Sequence, residues 1–225
     1  MSSLFRSFRR SQITSPYIRG GGIRSISTLP NNPHIYVIPS SNGKILSLLP
    51  TDPPTPELSI GTTTSIPPTP NSFTENRNFL KILQLVLRKN VYFDPEVIAS
   101  AGTFASPGGA SIFGARKRRA TPAPSDGGGA GGANNQGGAG SGGVGGYIHV
   151  FDTRNPPAFG RIPDPEDIFG SVLVDGNGQI QQEGYEECGS YRLVTNEGIL
   201  GLSDYLRGKL IEKLKDEERT LRAHG

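Results

Sequence analysis

A glycine-rich stretch divides this chain and sets how much of it can be ordered. Between residues 127 and 146, twelve of the twenty residues are glycine, and Val144 is the only large aliphatic residue. Such a stretch offers little apolar surface to offset the entropy lost on ordering. It also lacks the GxxxxGK[ST] pattern of a phosphate loop. We therefore predict a disordered linker over residues 105 to 146, between ordered parts at 27 to 104 and 147 to 225.

The two ordered parts are expected to form one composite domain, because each alone offers a thin core. The chain has 225 residues, of which 34% are hydrophobic, 31 are glycine and 19 are proline, so the ordered portion should be small. The predicted fold class is α+β: a small antiparallel β-sheet with covering helices, interrupted by the long disordered glycine-rich linker.

The N-terminal part begins with the signal of a β-hairpin. Apolar runs within residues 34 to 49 flank the tripeptide Ser-Asn-Gly at 41 to 43, and Asn-Gly favours a tight turn. Residues 51 to 70 are rich in Pro and Thr and show no helical period, which predicts an extended connector. Because this connector carries Leu58 and Ile60, we expect it to lie along a surface.

Two helices are predicted after the connector. In SFTENRNFLKILQLVLRKN, Ser72 and Glu75 match a capping box, and the apolar residues cover more than one stripe. A second, short helix is predicted with Asp94 as N-cap and Pro95 at its first position. Packing of both helices on the strands is the favoured interpretation, and a protein-binding groove is the alternative. The residues of the first helix that would meet a partner are Phe79, Leu83, Val86 and Leu87.

The C-terminal part is predicted to be a β-β-β-β-α module. YIHVFDT alternates apolar and polar residues as a half-buried strand does. GSVLVD and GQIQQ flank a hairpin turn that begins at Asp175. SYRLVT, at residues 190 to 195, is predicted to be a further strand. The last helix is predicted to begin after Ser203 as N-cap.

A short loop after the first of these strands concentrates charged side chains. They could form a loop that binds a partner or ligand: Asp152, Arg154, Arg161, Asp164, Glu166 and Asp167. The alternative interpretation is structural, in which Asp164 caps a single helical turn that starts at Pro165. In this interpretation, which we favour, the arginines are close enough in sequence to pair with the acids.

Metal, cofactor and catalytic signatures are not recognisable in the sequence. An EF-hand loop that starts at Asp164 fails, because its fifth and sixth positions are Ile168 and Phe169. Zinc sites need grouped His and Cys, whereas this chain has one cysteine, Cys188, and three scattered histidines. We therefore predict no catalytic, cofactor-binding or metal-ligating residue. No apolar run reaches the length of a transmembrane helix.

The N-terminus is typical of a mitochondrial transit peptide. The first 28 residues hold five arginines and no acidic residue, and Leu4, Phe5 and Phe8 would share one helix face. RSIS at residues 24 to 27 resembles a matrix-peptidase site with cleavage after Ile26. We predict a transit peptide of residues 1 to 26 and a location in the mitochondrial matrix. Without those arginines, 18 basic residues face 20 acidic ones, so the body of the chain is not basic.

Two long segments also resemble a known group of sequences. They are YIHVFDTRNPPAFGRIPDPEDIFGSVLVD and YRLVTNEGILGLSDYLRGKLIEKL, which resemble an uncharacterised group of fungal mitochondrial proteins. The resemblance extends to the SFTEN helix and covers most of the mature chain outside the glycine-rich linker. No activity or site residue is attached to that group, so the resemblance implies a mitochondrial location and little else.

These observations predict a non-catalytic mitochondrial matrix protein with an accessory, assembly or structural role. It would act through protein–protein contacts with a respiratory-chain or mitoribosomal complex. One alternative is a small enzyme or ligand-binding protein that uses the charged loop. Another is an RNA-associated protein that uses the basic run Arg116, Lys117, Arg118 and Arg119, although interleaved aromatic residues are missing there.

Overall fold

The computed structural model describes residues 26 to 105, 145 to 158 and 161 to 224, and these residues have the α+β architecture predicted from the sequence. Nearly all of the predicted transit peptide and of the predicted linker lies outside the described residues. The basic run at 116 to 119 lies outside them as well.

The N-terminal part forms a five-stranded antiparallel sheet in which the strands follow chain order. Its strands are β1 (Ser27–Leu29), β2 (Asn32–Ser40), β3 (Gly43–Ser47), β4 (Gly61–Thr63) and β5 (Phe73–Glu75). The predicted hairpin is confirmed, because Ser40 pairs with Gly43. Gly43 has φ +138°, and a Cβ there would lie 2.8 Å from the carbonyl oxygen of Thr63, so the turn requires glycine.

The proline-rich connector is more ordered than an extended surface segment. It contains a 3-10 turn at Pro56–Leu58 and then β4, which joins the sheet beside β3. Leu58 and Ile60 are 2% and 0% exposed, so they anchor the connector in the core. Their burial explains how a segment rich in proline becomes part of the packed body.

The capping box predicted at Ser72 and Glu75 is wrong. Residues 73 to 75 pair with β4 as strand β5, and the first helix, α1 (Arg77–Asn90), begins one turn later. Its N-cap is Asn76, whose side-chain oxygen accepts from the N–H of Asn78 over 2.9 Å. The side-chain amide of Asn76 also donates to three carbonyls of the connector, so pairing with the connector decides where α1 begins.

The other two helices begin where the sequence predicts. They are α2 (Pro95–Ala105) and α3 (Asp204–His224). Asp94 Oδ1 accepts from the N–H of Glu96 over 3.0 Å, and Ser203 Oγ accepts from the N–H of Leu206 over 3.2 Å. Both N-cap predictions are confirmed by these bonds.

The C-terminal part holds a three-stranded antiparallel sheet of β6 (Gly146–Phe151), β7 (Ile168–Val174) and β8 (Ile180–Glu187). The predicted strand over residues 190 to 195 is wrong in most of its length. Only β9 (Val194–Thr195) forms there, and it pairs with β10 (Gly198–Ile199) in a separate two-stranded sheet. The backbone of residues 192 and 193 bonds to side chains, to the carbonyl of Glu166 and to the N–H of Leu200.

Buried side chains from both sides of the glycine-rich stretch form one hydrophobic cluster. Ile35 and Phe79 belong to it from the first part, and Val172 and Leu210 from the second. Helix α1 packs against α3 and also against β8, so the two parts share this core. None of the helices in the described ranges combines the length and apolar composition needed to cross a lipid bilayer.

Candidate functional site

The structure brings together three of the six charged residues predicted in the loop of residues 152 to 167. Asp152 follows β6 directly, and Asp167 ends the 3-10 turn that leads into β7. The backbone N–H of Asp152 donates to the carbonyl of Asp167 over 2.8 Å, which closes the base of the loop. The side chain of Arg154 lies against both carboxylates and is only 3% exposed.

The guanidinium group of Arg154 makes four hydrogen bonds to the chain's own groups. Its Nε donates to Asp167 Oδ1 over 2.7 Å, and its Nη1 donates to the carbonyl of Leu193 over 3.1 Å. Its Nη2 donates to the carbonyls of Glu166 and Arg192 over 2.9 and 2.8 Å. This pattern needs the planar fork of arginine, because a lysine ammonium has three donors on one atom.

The oxygens of the Asp152 carboxylate likewise accept hydrogen bonds from the chain's own groups. Its Oδ1 accepts from the backbone N–H groups of Arg154 and Gly201 over 2.9 and 2.8 Å. Its Oδ2 accepts from the hydroxyl of Tyr191 over 2.9 Å. Burial raises the pKa of Asp152 to about 6, and the guanidinium and the donated hydrogen bonds act against this rise.

Tyr191 completes this site and was missed by the sequence analysis. Its ring lies 5.5 Å from the Cζ atom of Arg154 and 4.6 Å from the ring of Phe169, so it covers the ion pair on one side. Burial, followed by the charge of Asp152, raises the pKa of Tyr191 well above its usual value. No spacing rule could have found this residue, because it lies 39 positions from Asp152.

The other three predicted residues lie outside this buried cluster. Arg161, Asp164 and Glu166 are exposed. The predicted single helical turn exists as a 3-10 turn at Pro165–Asp167, but the side chain of Asp164 makes no capping hydrogen bond to it. Asp164 Oδ2 instead accepts a long contact of 3.5 Å from the side-chain amide of Asn155.

We call the buried cluster of Asp152, Arg154, Asp167 and Tyr191 the Arg154 network. It ties the loop after β6 to the turn before β7 and to the segment before β9. Its guanidinium and most of its carboxylate oxygens bond to the chain's own groups. Its chemistry is that of a buried ion pair whose charges are stabilised by backbone groups.

Replacing Asp152 by asparagine is expected to change how stability depends on pH. The folded-state pKa of Asp152 is raised, so the folded protein binds a proton more readily than the unfolded chain between about pH 4 and about pH 6. The free energy of unfolding of the wild type, minus that of Asp152→Asn, should therefore fall by about 3 kcal/mol over this range as pH rises. Urea unfolding of both proteins at closely spaced pH values measures this difference. If this difference instead rises with pH, the hydrogen-bond donors around Asp152 lower its pKa by more than burial raises it.

The helix face that was predicted to meet a partner is buried in the chain's own core. Phe79, Leu83, Val86 and Leu87 are 0%, 0%, 4% and 0% exposed. This corrects the prediction of a partner surface at these positions and agrees with the favoured interpretation that α1 packs on the strands. The apolar side chain that α1 turns outward is Leu85, which is 41% exposed.

An open groove lies at the C-terminal end of α1 and has a volume of about 520 Å³. One wall is formed by Arg88 and Lys89 together with Phe93, which lies in the turn between α1 and α2. The opposite wall belongs to β8. We call this the Phe93 groove, and its lining residues are Arg88, Lys89, Tyr92, Phe93, Gln182, Glu183 and Tyr185.

In the described ranges, no group of three or more His, Cys, Asp or Glu side chains is placed to hold a metal ion. Cys188 is half-buried, and its Sγ lies 3.0 Å from Ser190 Oγ. Comparison with protein families, with curated proteins and with solved structures finds no match for this chain. Its function is therefore inferred from its own residues.

Proposed function

We propose that this chain is a non-catalytic protein of the mitochondrial matrix with an accessory, assembly or structural role. It acts through contacts with other proteins, in a respiratory-chain or mitoribosomal complex. The location rests on the arginine-rich, acid-free N-terminal sequence.

The observation that supports the non-catalytic assignment is that the polar groups of the Arg154 network bond to one another and to the backbone. Asp152, Arg154 and Asp167 looked from sequence like possible members of an active site. A general acid or base must reach a substrate proton within hydrogen-bond distance. Here the oxygens of Asp152 accept from two backbone N–H groups and a tyrosine hydroxyl, and the guanidinium is bound by carbonyls. The cluster thus supports the fold of the loop.

Exposed apolar side chains provide surfaces for protein contacts. Phe93 is 55% exposed, Ile98 is 51% exposed and Leu85 is 41% exposed, all within or close to α1 and α2. Exposed aromatic residues beside cations are common at the centres of protein interfaces. The RNA-associated alternative depends on the run at 116 to 119, which lies outside the described residues.

Import and native electrophoresis test this proposal together. We expect the full chain to enter isolated mitochondria, to become protease-protected and to lose residues 1 to 26, while a chain of residues 27 to 225 stays outside. After import, the protein should migrate in native gels well above the 23.9 kDa of the full chain.

A double variant, Asp164→Ala with Glu166→Ala, separates the proposal from the enzyme alternative. Both side chains are exposed, so the fold should be retained and assembly should be unchanged. Migration of the wild type as a free monomer would contradict the proposed function. If the double variant folds and assembles normally but no longer supports the protein's function in cells, the enzyme alternative is favoured.

A further inference from the structure

The Phe93 groove presents a large aromatic surface to solvent. Phe93 is the most exposed of the large apolar side chains in the described part of the chain. The groove also includes Tyr92, whose hydroxyl accepts from the backbone N–H of Tyr185 over 3.1 Å. This bond holds the Tyr92 side chain against β8. Burial of the Phe93 ring by a partner would remove apolar surface from water.

The charges of the groove are separated between its two walls. Arg88 and Lys89 lie on the α1 wall, whereas Glu183 lies on the β8 wall. The nearest acid to Arg88 is Glu187 at 4.0 Å, and both side chains are about half exposed or more, so this ion pair is weak. Lys89 has no ion-pair partner among the residues that the structure describes. The α1 wall is therefore complementary to an acidic group.

The backbone of the β8 wall departs from regular pairing. Residues 181 to 184 of β8 lie opposite the single residue Leu173 of β7. Within this bulge Glu183 has φ +72°, and no other described non-glycine residue has a positive φ. Bulges are frequent beside binding sites, and a strained backbone of this kind clusters at them as well. β8 is also an edge strand of its sheet, so an extended chain can bond to its backbone at positions other than Tyr185, whose N–H already donates to the Tyr92 hydroxyl.

We propose that the Phe93 groove binds an extended segment of a partner protein in which an acidic side chain lies next to a large apolar one. The apolar side chain packs on Phe93, the acidic group meets Lys89 and Arg88, and the backbone follows the bulge of β8. This proposal rests on the proposed function, because it names the surface through which the protein contacts its complex.

Site-specific photocrosslinking in mitochondria tests the proposal. Benzoylphenylalanine is placed at position 93, where it keeps an aromatic ring, and at position 221 of α3 as a control, since Leu221 is also exposed but lies outside the groove. We expect position 93 to crosslink to one partner, and the crosslinked peptide to carry acidic and apolar residues. Lys89→Glu should lower the yield about tenfold, whereas Lys81→Glu, on the same helix and exposed, should leave it unchanged.

Several outcomes would overturn the proposal while the proposed function stands. They are equal yields at positions 93 and 221, an unchanged yield in Lys89→Glu, a crosslinked peptide without acidic residues, or a crosslink to a second copy of this chain. Absence of a crosslink in a protein that still assembles in native gels would overturn it too. If the wild type migrates as a free monomer, the proposed function itself is contradicted.

Discussion

Replacing Arg154 by alanine is expected to lower the free energy of unfolding by about 3–5 kcal/mol, because removal of one partner from a buried ion pair leaves the other charge uncompensated. Asp167 would lose a bond of 2.7 Å, and three backbone carbonyls would each lose one donor, although those of Glu166 and Leu193 keep a backbone N–H. The segment before β9 would lose the two bonds that Arg154 makes to its carbonyls, those of residues 192 and 193. Chemical denaturation of the purified chain, followed by circular dichroism, measures the change.

Two further variants serve as controls for this result. Arg161→Ala removes an exposed arginine from the same loop, and we expect a change within about 0.5 kcal/mol. Arg154→Lys should be intermediate, since the ammonium keeps the charge but cannot form the four-bond fork. A stable, folded Arg154→Ala protein would contradict the structural role of the Arg154 network.

Replacing Asp94 by alanine is expected to cost about 3 kcal/mol, because this one carboxylate caps α2 and also bonds to Ser203, the cap of α3. Its Oδ1 accepts from the N–H of Glu96 at the start of α2, over 3.0 Å. Its Oδ2 accepts from the hydroxyl of Ser203 over 2.7 Å, and Ser203 Oγ in turn accepts from the N–H of Leu206 at the start of α3. Asp94 is 1% exposed, so water cannot readily replace it. Thermal and urea unfolding measure the loss.

The single and double variants of Asp94 and Ser203 form a cycle that tests this shared cap. Ser203→Ala alone should cost about 1–2 kcal/mol, since only the cap of α3 is removed directly. The double variant should cost less than the sum of the single variants by about 1 kcal/mol, because the bond between the two side chains is counted in both. Strict additivity would show that the two caps act independently.

Local elements could be predicted where the signal lies within a few residues. The turn before Gly43, the caps at Asp94 and Ser203, and the alternation in β6 each depend on neighbours in the chain, and the structure has all of them. The capping box predicted at Ser72 and Glu75 does not form although the sequence matches its pattern, because residues 73 to 75 pair with β4 as strand β5. Asn76 became the cap since it also bonds to the connector.

The Arg154 network could be predicted only in part. The sequence placed acids and an arginine in one loop, and it favoured pairing between them. It could not identify which acids would pair, because Asp152 and Asp167 are selected by the closure of the loop between β6 and β7. Leu193 belongs to a predicted strand, yet its N–H bonds to Glu75, and its carbonyl accepts from Arg154 as well as from the N–H of Leu200.

The sequence by itself determined the α+β class, the hairpins and the helices, since turn chemistry, capping and periodicity act over short distances. The tertiary structure decided which side chains of these elements are buried, which are exposed and which groups they bond to. It buried the face of α1 at Phe79 and Leu83 and left Phe93 exposed. It also paired Glu75 with a backbone group 118 positions away, which no local pattern encodes. The physical reason is that burial and ion pairing depend on groups that become neighbours only when the shared core forms.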